Sequence, residues 1–145
     1  MRIDKNKTYI NTNEKKQEWY IIDATNQTLG RLSSKVAFIL KGKNKSIYTP
    51  YFNNQINIII INSKLIRVTG NKRDQKVYKK HSGKPGGLKV ETFNKLNKRI
   101  PNRIVEISIK GMLPKNTLGR QLFTQLKIYS DNKHPHNSQK PIMLI

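Results

Sequence analysis

The segment Ile56–Ile61 constrains the fold more than any other part of this sequence. Five of its six residues are isoleucine, and apolar positions do not alternate with polar ones. A strand with one solvated face shows such alternation, whereas a strand covered on both faces reads as a continuous β-branched run. The segment therefore predicts a central strand inside a layered α/β domain.

Strands and helices alternate along the rest of the chain. Residues 19–22 predict a buried strand, and the apolar residues from Leu29 to Leu40 recur at helical spacing before a stop at Gly42. Further strands are predicted at 66–69, 76–78 and 127–129, helices at 90–99, at 101–113 and from Leu118 through Leu126, and a loop at 79–89. This order predicts a sandwich of helices around a small, mostly parallel sheet.

The chain of 145 residues fits one domain. We expect a polar N-terminal arm at 1–18, a single α/β domain at 19–130 and a C-terminal loop or tail at 131–145. No internal repeat and no low-complexity linker divides the sequence.

The charge balance points to a polyanionic partner. The chain has 29 Lys and Arg against 8 Asp and Glu, a formal net charge of +21. Residues 31–80 contribute twelve basic groups and one acid, so the charge belongs to the folded body and not to a detachable tail. Neutralising phosphates releases condensed counterions, which makes nucleic acid the expected partner. A membrane surface is the rival polyanion, but no basic amphipathic helix with a strongly apolar face stands out.

The densest basic segment is residues 72–89. It holds seven Lys and Arg, together with Tyr78, His81 and three glycines. Glycine lets backbone N–H groups approach phosphate, Lys and Arg supply charge, Tyr78 can stack on an unpaired base and His81 can donate to phosphate. A solvated hairpin with exposed lysines is the alternative interpretation.

The sequence does not support several classes of catalytic or metal-dependent protein. The segment 72–89 matches neither a Walker loop nor a dinucleotide-binding motif. The absence of cysteine excludes disulfides and cysteine-ligated zinc. A zinc site built from His81, His134 and His136 has no sequence feature that fixes its geometry. The eight carboxylates are scattered, whereas a nuclease gathers them around Mg²⁺. We therefore expect no cofactor, no metal, no small-molecule substrate and no enzymatic activity.

Short motifs along almost the whole chain carry a family resemblance. Residues 109–114 (IKGMLP), completed by 118–120 (LGR), give the strongest match, and they resemble the bacterial-type large-subunit ribosomal protein thirteen family. The other matches, in the family's order, are residues 19–24 (WYIIDA), 29–32 (LGRL), 40–43 (LKGK), 48–50 (YTP), 68–72 (VTGNK), 76–78 (KVY), 81–83 (HSG), 85–87 (PGG), 126–129 (LKIY), 134–136 (HPH) and 139–141 (QKP). One departure is local: Asn53, Gln55 and Ile56 stand where family members usually carry acidic residues and a glycine, so the turn there is expected to differ.

The resemblance implies a three-layer α/β/α sandwich around a four-stranded, largely parallel sheet. It implies a structural constituent of the large ribosomal subunit that binds 23S-type ribosomal RNA early in assembly, beside large-subunit proteins three, twenty and twenty-one. Lys, Asn and Ile make up 57 residues, a bias similar to that of plastid-encoded ribosomal proteins. We therefore expect a ribosome in the plastid stroma, or otherwise in a bacterial cytoplasm. A regulatory RNA-binding protein acting off the ribosome and an RNA-processing enzyme remain alternatives.

We expect two basic surfaces to contact RNA. The first is the face around Arg31, Lys41, Lys43 and Lys45, the second is the segment 72–89, and residues 110–120 join the two. The predicted RNA-binding residues are Arg31, Lys41, Lys43, Lys45, Lys72, Arg73, Lys76, Tyr78, Lys79, Lys80, His81, Lys84, Lys89, Lys110, Lys115, Arg120, Lys127, His134 and His136. Gly111 and Gly119 are expected to let RNA approach the backbone closely.

Overall fold

The computed structural model describes residues 17–46 and 48–144. Almost all of the predicted N-terminal arm therefore lies outside the described residues. The strands are β1 (Glu18–Asp23), β2 (Ile56–Ile61), β3 (Val77–His81), β4 (Leu88–Thr92), β5 (Leu126–Ile128) and β6 (Ile142–Met143). The helices are α1 (Leu29–Leu40), α2 (Lys72–Gln75), α3 (Phe93–Arg99), α4 (Pro101–Met112) and α5 (Thr117–Thr124), with 3-10 turns at Ser63–Leu65 and Asn137–Gln139.

The main sheet has four strands in the order β5-β2-β1-β6, and each neighbouring pair is parallel. Strands β3 and β4 form a separate antiparallel hairpin. Parallel neighbours need crossover connections, and α1 supplies the one between β1 and β2. The predicted α/β sandwich around a mostly parallel four-stranded sheet is confirmed.

Strand β2 is buried on both faces, as its unbroken isoleucine run predicted. Ile56, Ile58 and Ile60 point to one face and are fully buried. Ile59 and Ile61 point to the opposite face and are buried as well. No polar face is needed on a strand of this kind, which explains the absence of alternation.

One face of the sheet and four helices share a single hydrophobic core. Ile58 and Ile60 of β2 lie in the same cluster as Leu32 and Val36 of α1. The other helices contribute Phe93 and Leu96 from α3, Ile104, Val105 and Ile109 from α4, and Leu122 from α5. Helix α1 ends where predicted: the N–H of Gly42 donates to the carbonyl of Ile39, and Gly42 adopts a φ of +72°.

The C-terminal segment contacts the opposite face of the sheet. Trp19 lies on that face, because its neighbour Tyr20 packs against the core. The ring of His136 stands 5.2 Å from the ring of Trp19, centroid to centroid. Further on, Ile142 and Met143 form β6 beside β1, so the predicted C-terminal tail includes a strand that sequence reasoning did not place.

Four predicted elements are wrong or shifted. Residues 66–69 form no strand, because Arg67 makes only an isolated bridge with Thr28. The predicted loop 79–89 is largely a hairpin, since β3 runs to His81 and β4 begins at Leu88. Residues 90–92 belong to β4 and not to the following helix, which begins at Phe93. Leu126 fits the helical spacing of α5 but pairs with Ile58 as the first residue of β5.

The turn before β2 has the backbone geometry that glycine favours. Gln55 adopts a φ of +52°, in the left-handed region. The side chain of Asn53 accepts a hydrogen bond from the N–H of Gln55 at 3.0 Å, which stabilises this local bend. A non-glycine residue in this conformation costs about 1–2 kcal/mol.

Candidate nucleic-acid interface

The first predicted surface is divided between the two ends of α1. Arg31 is exposed in the first turn of the helix, far along it from Lys41 and Lys43. At the C-terminal end of α1, Lys41 is half-buried and Lys43 is exposed in the turn beyond the helix. Lys43 Nζ lies 5.8 Å from the centroid of the Tyr48 ring. A helix C-terminus carries partial negative charge, which favours cations at these positions.

Lys45 differs from its neighbours because it is engaged within the protein. Its Nζ donates to Glu18 Oε1 at 2.6 Å, and the Tyr20 hydroxyl donates to the other carboxylate oxygen at 3.0 Å. Burial raises the pKa of Glu18, but the hydrogen bonds from Lys45 and Tyr20 outweigh it and hold that pKa below its ordinary value. The carboxylate therefore stays ionised and keeps the Lys45 charge partly neutralised.

Residues 110–120 meet the first surface across a cleft of about 250 Å³. Lys41, Lys43 and Tyr48 line one side of this cleft, and Pro114 and Asn116 line the other. Asn116 caps α5, because its side-chain oxygen accepts the N–H of Gly119 at 2.8 Å. The cap fixes where the chain turns from α4 into α5, and with it the position of this wall.

A second cleft of about 340 Å³ adjoins the first and shares Pro114 with it. Lys110, Lys115 and Arg120 line this second cleft, so the structure brings these three predicted residues together. Lys110 Nζ lies 5.6 Å from the centroid of the Phe123 ring. Glu106, four residues before Lys110 on α4, accepts a hydrogen bond from Arg103 at 2.9 Å.

The two glycines of this segment have different surroundings. A Cβ placed on Gly111 would meet nothing within 4 Å. A Cβ placed on the buried Gly119 would stand 1.7 Å from the carbonyl oxygen of Pro114. The close approach at Gly119 is therefore made by the protein's own backbone, which accounts for the glycine without RNA, and only Gly111 offers open backbone.

A third cleft, of about 530 Å³, opens at the N-terminal end of α1. Thr28 and Gly30 line it together with the cations Arg67, Lys72 and Lys76. Thr28 makes no side-chain cap, and the N–H of Leu29 donates to the carbonyl of Arg67. The positive end of the helix dipole and three cations around one cleft make a suitable environment for phosphate.

Arg67 is the residue that sequence reasoning missed. Its place beside α1 depends on the isolated bridge to Thr28, with hydrogen bonds from the N–H of Leu29 to the Arg67 carbonyl and from the N–H of Arg67 to the Gln27 carbonyl. The motif at 68–72, which resembles the family, begins one residue after Arg67, and it was the sequence signal that could have indicated this residue.

The β3–β4 hairpin presents a dense set of exposed cations. Lys79, Lys80, Lys84 and Lys89 are all exposed. In the turn between the strands, Gly83 and Gly86 have φ values of +86° and +71°, which glycine adopts without strain. Arg73 is exposed on α2, immediately before the hairpin.

His81 is prepared to act as a donor at the end of β3. The N–H of Gly83 donates to His81 Nδ1 at 2.9 Å, so Nδ1 acts as the acceptor. In the neutral ring the proton then resides on Nε2, where it can reach a phosphate oxygen.

Tyr78 has a packing role that the sequence did not reveal. It is half-buried against the core, and within the described part of the chain its hydroxyl has no hydrogen-bond partner. Burial raises the pKa of Tyr78. The ring fastens the hairpin to the body, and base stacking by Tyr78 stays a prediction.

The predicted residues near the C-terminus form a cluster of their own. Lys127 Nζ donates to the carbonyl of Thr124 at 3.0 Å, and His136 Nε2 lies 2.8 Å from the Tyr129 hydroxyl. The His134 ring stands 6.5 Å from the Tyr129 ring. None of Lys127, His134 and His136 lines the three clefts, so the structure does not bring this group together with the other predicted residues.

Comparison with known proteins identifies the family. The family model described as Ribosomal protein L13 matches residues 17–135. The chain belongs to the ribosomal protein L13 family.

Individual relatives cover nearly the whole chain. A "Large ribosomal subunit protein uL13c" of Gracilaria tenuistipitata var. liui is 63% identical over 136 residues, covering 94% of this chain and 95% of the relative. A "Large ribosomal subunit protein uL13c" of Pyropia yezoensis is 59% identical, covering 91% of each chain. A "Large ribosomal subunit protein uL13" of Nostoc sp. is 55% identical, covering 93% of this chain and 90% of the relative.

The motifs by which the chain resembles the ribosomal protein L13 family line the clefts. The first and second clefts are built partly from residues of the motifs at 40–43, 48–50, 109–114 and 118–120. The third cleft takes residues from the motifs at 29–32, 68–72 and 76–78. Seven of the thirteen motifs therefore contribute residues to the three clefts, which we together call the basic surface.

Acidic residues are absent from this basic surface. No described residue that lines the three clefts carries a carboxylate. The ion pairs in residues 17–46 and 48–144 join Lys45 to Glu18, Lys64 to Asp131, Arg99 to Glu91 and Arg103 to Glu106. Of the four cations in these pairs, Lys45 is the one that was predicted to bind RNA.

Over the same residues the structure groups no three His, Cys, Asp or Glu side chains that could hold a metal. No described helix is long and apolar enough to cross a membrane.

Proposed function

We propose that this protein is a structural constituent of the large ribosomal subunit and binds 23S-type ribosomal RNA early in subunit assembly. The observation that carries the proposal is the basic surface formed by the three clefts. Their cations are Lys41, Lys43, Arg67, Lys72, Lys76, Lys110, Lys115 and Arg120. Membership of the ribosomal protein L13 family supports the same conclusion.

Phosphates supply the negative charge that this surface needs. In the third cleft, Arg67 can hold a phosphate with its planar fork while Lys72 and Lys76 add point charge. Folded RNA places several phosphates at fixed distances, so a rigid set of clefts selects RNA shape and not base sequence. Affinity then comes from charge, and specificity comes from geometry.

The proposed role is structural and not catalytic. Each carboxylate in the described part of the chain is bound to a partner inside the protein: Asp23 accepts from Thr25 and Asn62, Asp74 accepts from Asn94, and the other four take part in the ion pairs above. Carboxylates held apart in this way do not form the cluster that Mg²⁺-dependent phosphoryl transfer uses.

Membership of the family supports a proposal for the neighbours and the compartment. By analogy with the ribosomal protein L13 family, we infer that the protein lies beside large-subunit proteins three, twenty and twenty-one. The bias toward Lys, Asn and Ile and the plastid-type relatives support a ribosome in the plastid stroma. A bacterial cytoplasm is the alternative compartment.

Sucrose-gradient fractionation of cells that produce the protein tests this proposal. We expect the protein in the large-subunit and ribosome fractions, at one copy per 23S-type RNA, with little in the free pool. A mostly free pool would instead favour a regulatory RNA-binding protein. Turnover of labelled RNA by the pure protein with Mg²⁺ would favour a processing enzyme.

A further inference from the structure

The β3–β4 hairpin has two chemically different faces. Cross-strand partners point to the same side of a two-stranded sheet, and side chains alternate along each strand. The pairs Val77–Thr92, Lys79–Val90 and His81–Leu88 therefore share one side, which we name the outer face. The pairs Tyr78–Glu91 and Lys80–Lys89 share the other side, which we name the inner face.

The inner face attaches the hairpin to the body. Tyr78 packs against the core, and Glu91 accepts two hydrogen bonds from Arg99 of α3, at 3.0 and 2.7 Å. Lys80 and Lys89 form the second pair on this face, and both are exposed. The attachment turns the outer face away from the core.

The outer face leaves three aliphatic side chains in solvent. Val77 is 46% exposed, Leu88 is 55% exposed and Val90 is 54% exposed. Leu88 and Val90 are successive residues on this side of β4, and Val77 lies diagonally across from Val90, so the three form one stripe and are not scattered single residues. A contiguous exposed apolar stripe marks an interaction surface, because its burial against a partner is favourable.

RNA is poorly matched to this stripe. Phosphates and 2′-hydroxyl groups need polar partners, and aliphatic side chains offer none. An A-form major groove is too deep and narrow for side chains to read. A protein surface supplies the apolar contact that the stripe requires.

The positive charge of the outer face indicates what chemistry that protein partner needs. Lys79 and His81 flank the aliphatic side chains, and no carboxylate points to the outer face, because Glu91 lies on the inner face. A second copy of this chain would bring further positive charge to the same place, since the formal net charge is +21. Complementarity therefore requires carboxylates on the partner, beside aliphatic side chains.

We propose that the outer face of the hairpin docks a neighbouring protein, through a segment that carries aliphatic side chains beside carboxylates, while the inner face and the turn contact RNA. Lys79 and His81, which the sequence analysis predicted to bind RNA, are thereby assigned to the protein partner. The inference rests on the proposed function, because it places the partner in the assembled large subunit. Six residues form a small face, well below the area of a stable independent interface. Docking is therefore expected in the assembled particle, where RNA holds both proteins in place.

Photo-crosslinking in assembled large subunits tests the proposal. Benzoylphenylalanine is introduced at Val90 on the outer face or at Lys89, its chain neighbour on the inner face. After illumination, we expect the Val90 variant to give an adduct that resists ribonuclease and is destroyed by protease, with a partner peptide rich in aliphatic and acidic residues. The Lys89 variant should give an adduct with RNA.

The matched pair separates the two proposals. An RNA adduct or an adduct with a second copy from Val90, or no adduct there while Lys89 reaches RNA, would overturn the docking surface and leave the ribosomal role intact. Absence of the unsubstituted protein from purified large subunits would overturn the proposed function and the inference together. If the variants do not assemble, zero-length carbodiimide coupling of the unsubstituted chain tests the docking surface instead. Lys79 on the outer face should then be joined to a partner carboxylate in higher yield than Lys80 on the inner face.

Discussion

The hydroxyl of Tyr129 lies 2.8 Å from Nε2 of His136, whose ring also stands 5.2 Å from the ring of Trp19. These contacts hold the C-terminal segment against the sheet face opposite the main core. Burial, and then the charges of Lys127 and His134, lower the pKa of His136 from its usual value of 6.5. The folded protein therefore takes up a proton at His136 less readily than the unfolded chain does.

This relationship predicts a loss of stability in mild acid. A lowered histidine pKa contributes stability that is complete above about pH 6.5 and is lost as the pH falls through the folded-state value. Urea unfolding followed by the fluorescence of Trp19, the single tryptophan, should give a lower free energy of unfolding at pH 5.0 than at pH 7.5. His136→Gln should reduce that difference, whereas equal pH dependence in the two proteins would contradict the account.

The ion pair between Lys45 and Glu18 predicts that one acidic residue restrains RNA binding. Glu18→Gln should release the Lys45 charge, raise affinity at low salt and steepen the salt dependence of log K by about 0.7–0.9. The double change Glu18→Gln with Lys45→Ala should restore the wild-type slope, and Lys43→Ala should make the slope shallower by a similar amount. Filter binding to large-subunit RNA measures all four proteins, and an unchanged slope for Glu18→Gln would refute the restraint.

The surroundings of Gly111 and Gly119 predict opposite outcomes for the same substitution. Gly119→Ala places a Cβ against the Pro114 carbonyl and should lower the free energy of unfolding by about 1–3 kcal/mol. Gly111→Ala meets open space on α4 and should raise it by up to about 0.5–1 kcal/mol, because alanine is the better helix former. Urea unfolding measures both variants. If RNA approaches the backbone at Gly111, that variant also loses affinity without losing stability.

The turn before β2 predicts a stabilising substitution. Gln55 adopts a left-handed conformation, with a φ of +52°, that glycine reaches without steric cost. Gln55→Gly should raise the free energy of unfolding by about 0.5–1 kcal/mol, since the greater freedom of glycine in the unfolded chain offsets part of the relief. A reduced midpoint of urea unfolding would show that the Gln55 side chain contributes more than its backbone strain costs.

Local sequence patterns predicted the helices and strands whose buried residues recur at a regular spacing. Residues 56–61 carry no alternation because both faces are covered, and α1 carries its core residues at helical spacing, so each pattern has one consistent interpretation. Leu126 fits the spacing of α5 equally well, and only its pairing with Ile58, far away in the chain, decides that it belongs to a strand. Strand β6 has two residues and depends entirely on β1 for its pairing.

The candidate interface was predictable in composition but not in arrangement. Exposed cations follow from net charge, so Lys72, Lys76 and Arg120 could be named from the sequence. Arg67 could not be named in this way, because its place at the third cleft depends on an isolated β-bridge to Thr28, which lies 39 residues earlier in the chain. The burial of Tyr78 and the pairing of Lys45 with Glu18 also depend on contacts between distant segments.

The salt dependence of binding to 23S-type ribosomal RNA tests the central claim most directly. We expect log K to fall linearly and steeply with log salt concentration for the unsubstituted protein. Replacing Arg67, Lys72 and Lys76 together by alanine should make the slope shallower by about 2–3. Replacing the carboxylate-paired Lys64 and Arg103, which line none of the three clefts, should leave it nearly unchanged. Affinity that is insensitive to salt, or equal slopes for both sets of replacements, would contradict an interface made of phosphate-binding clefts.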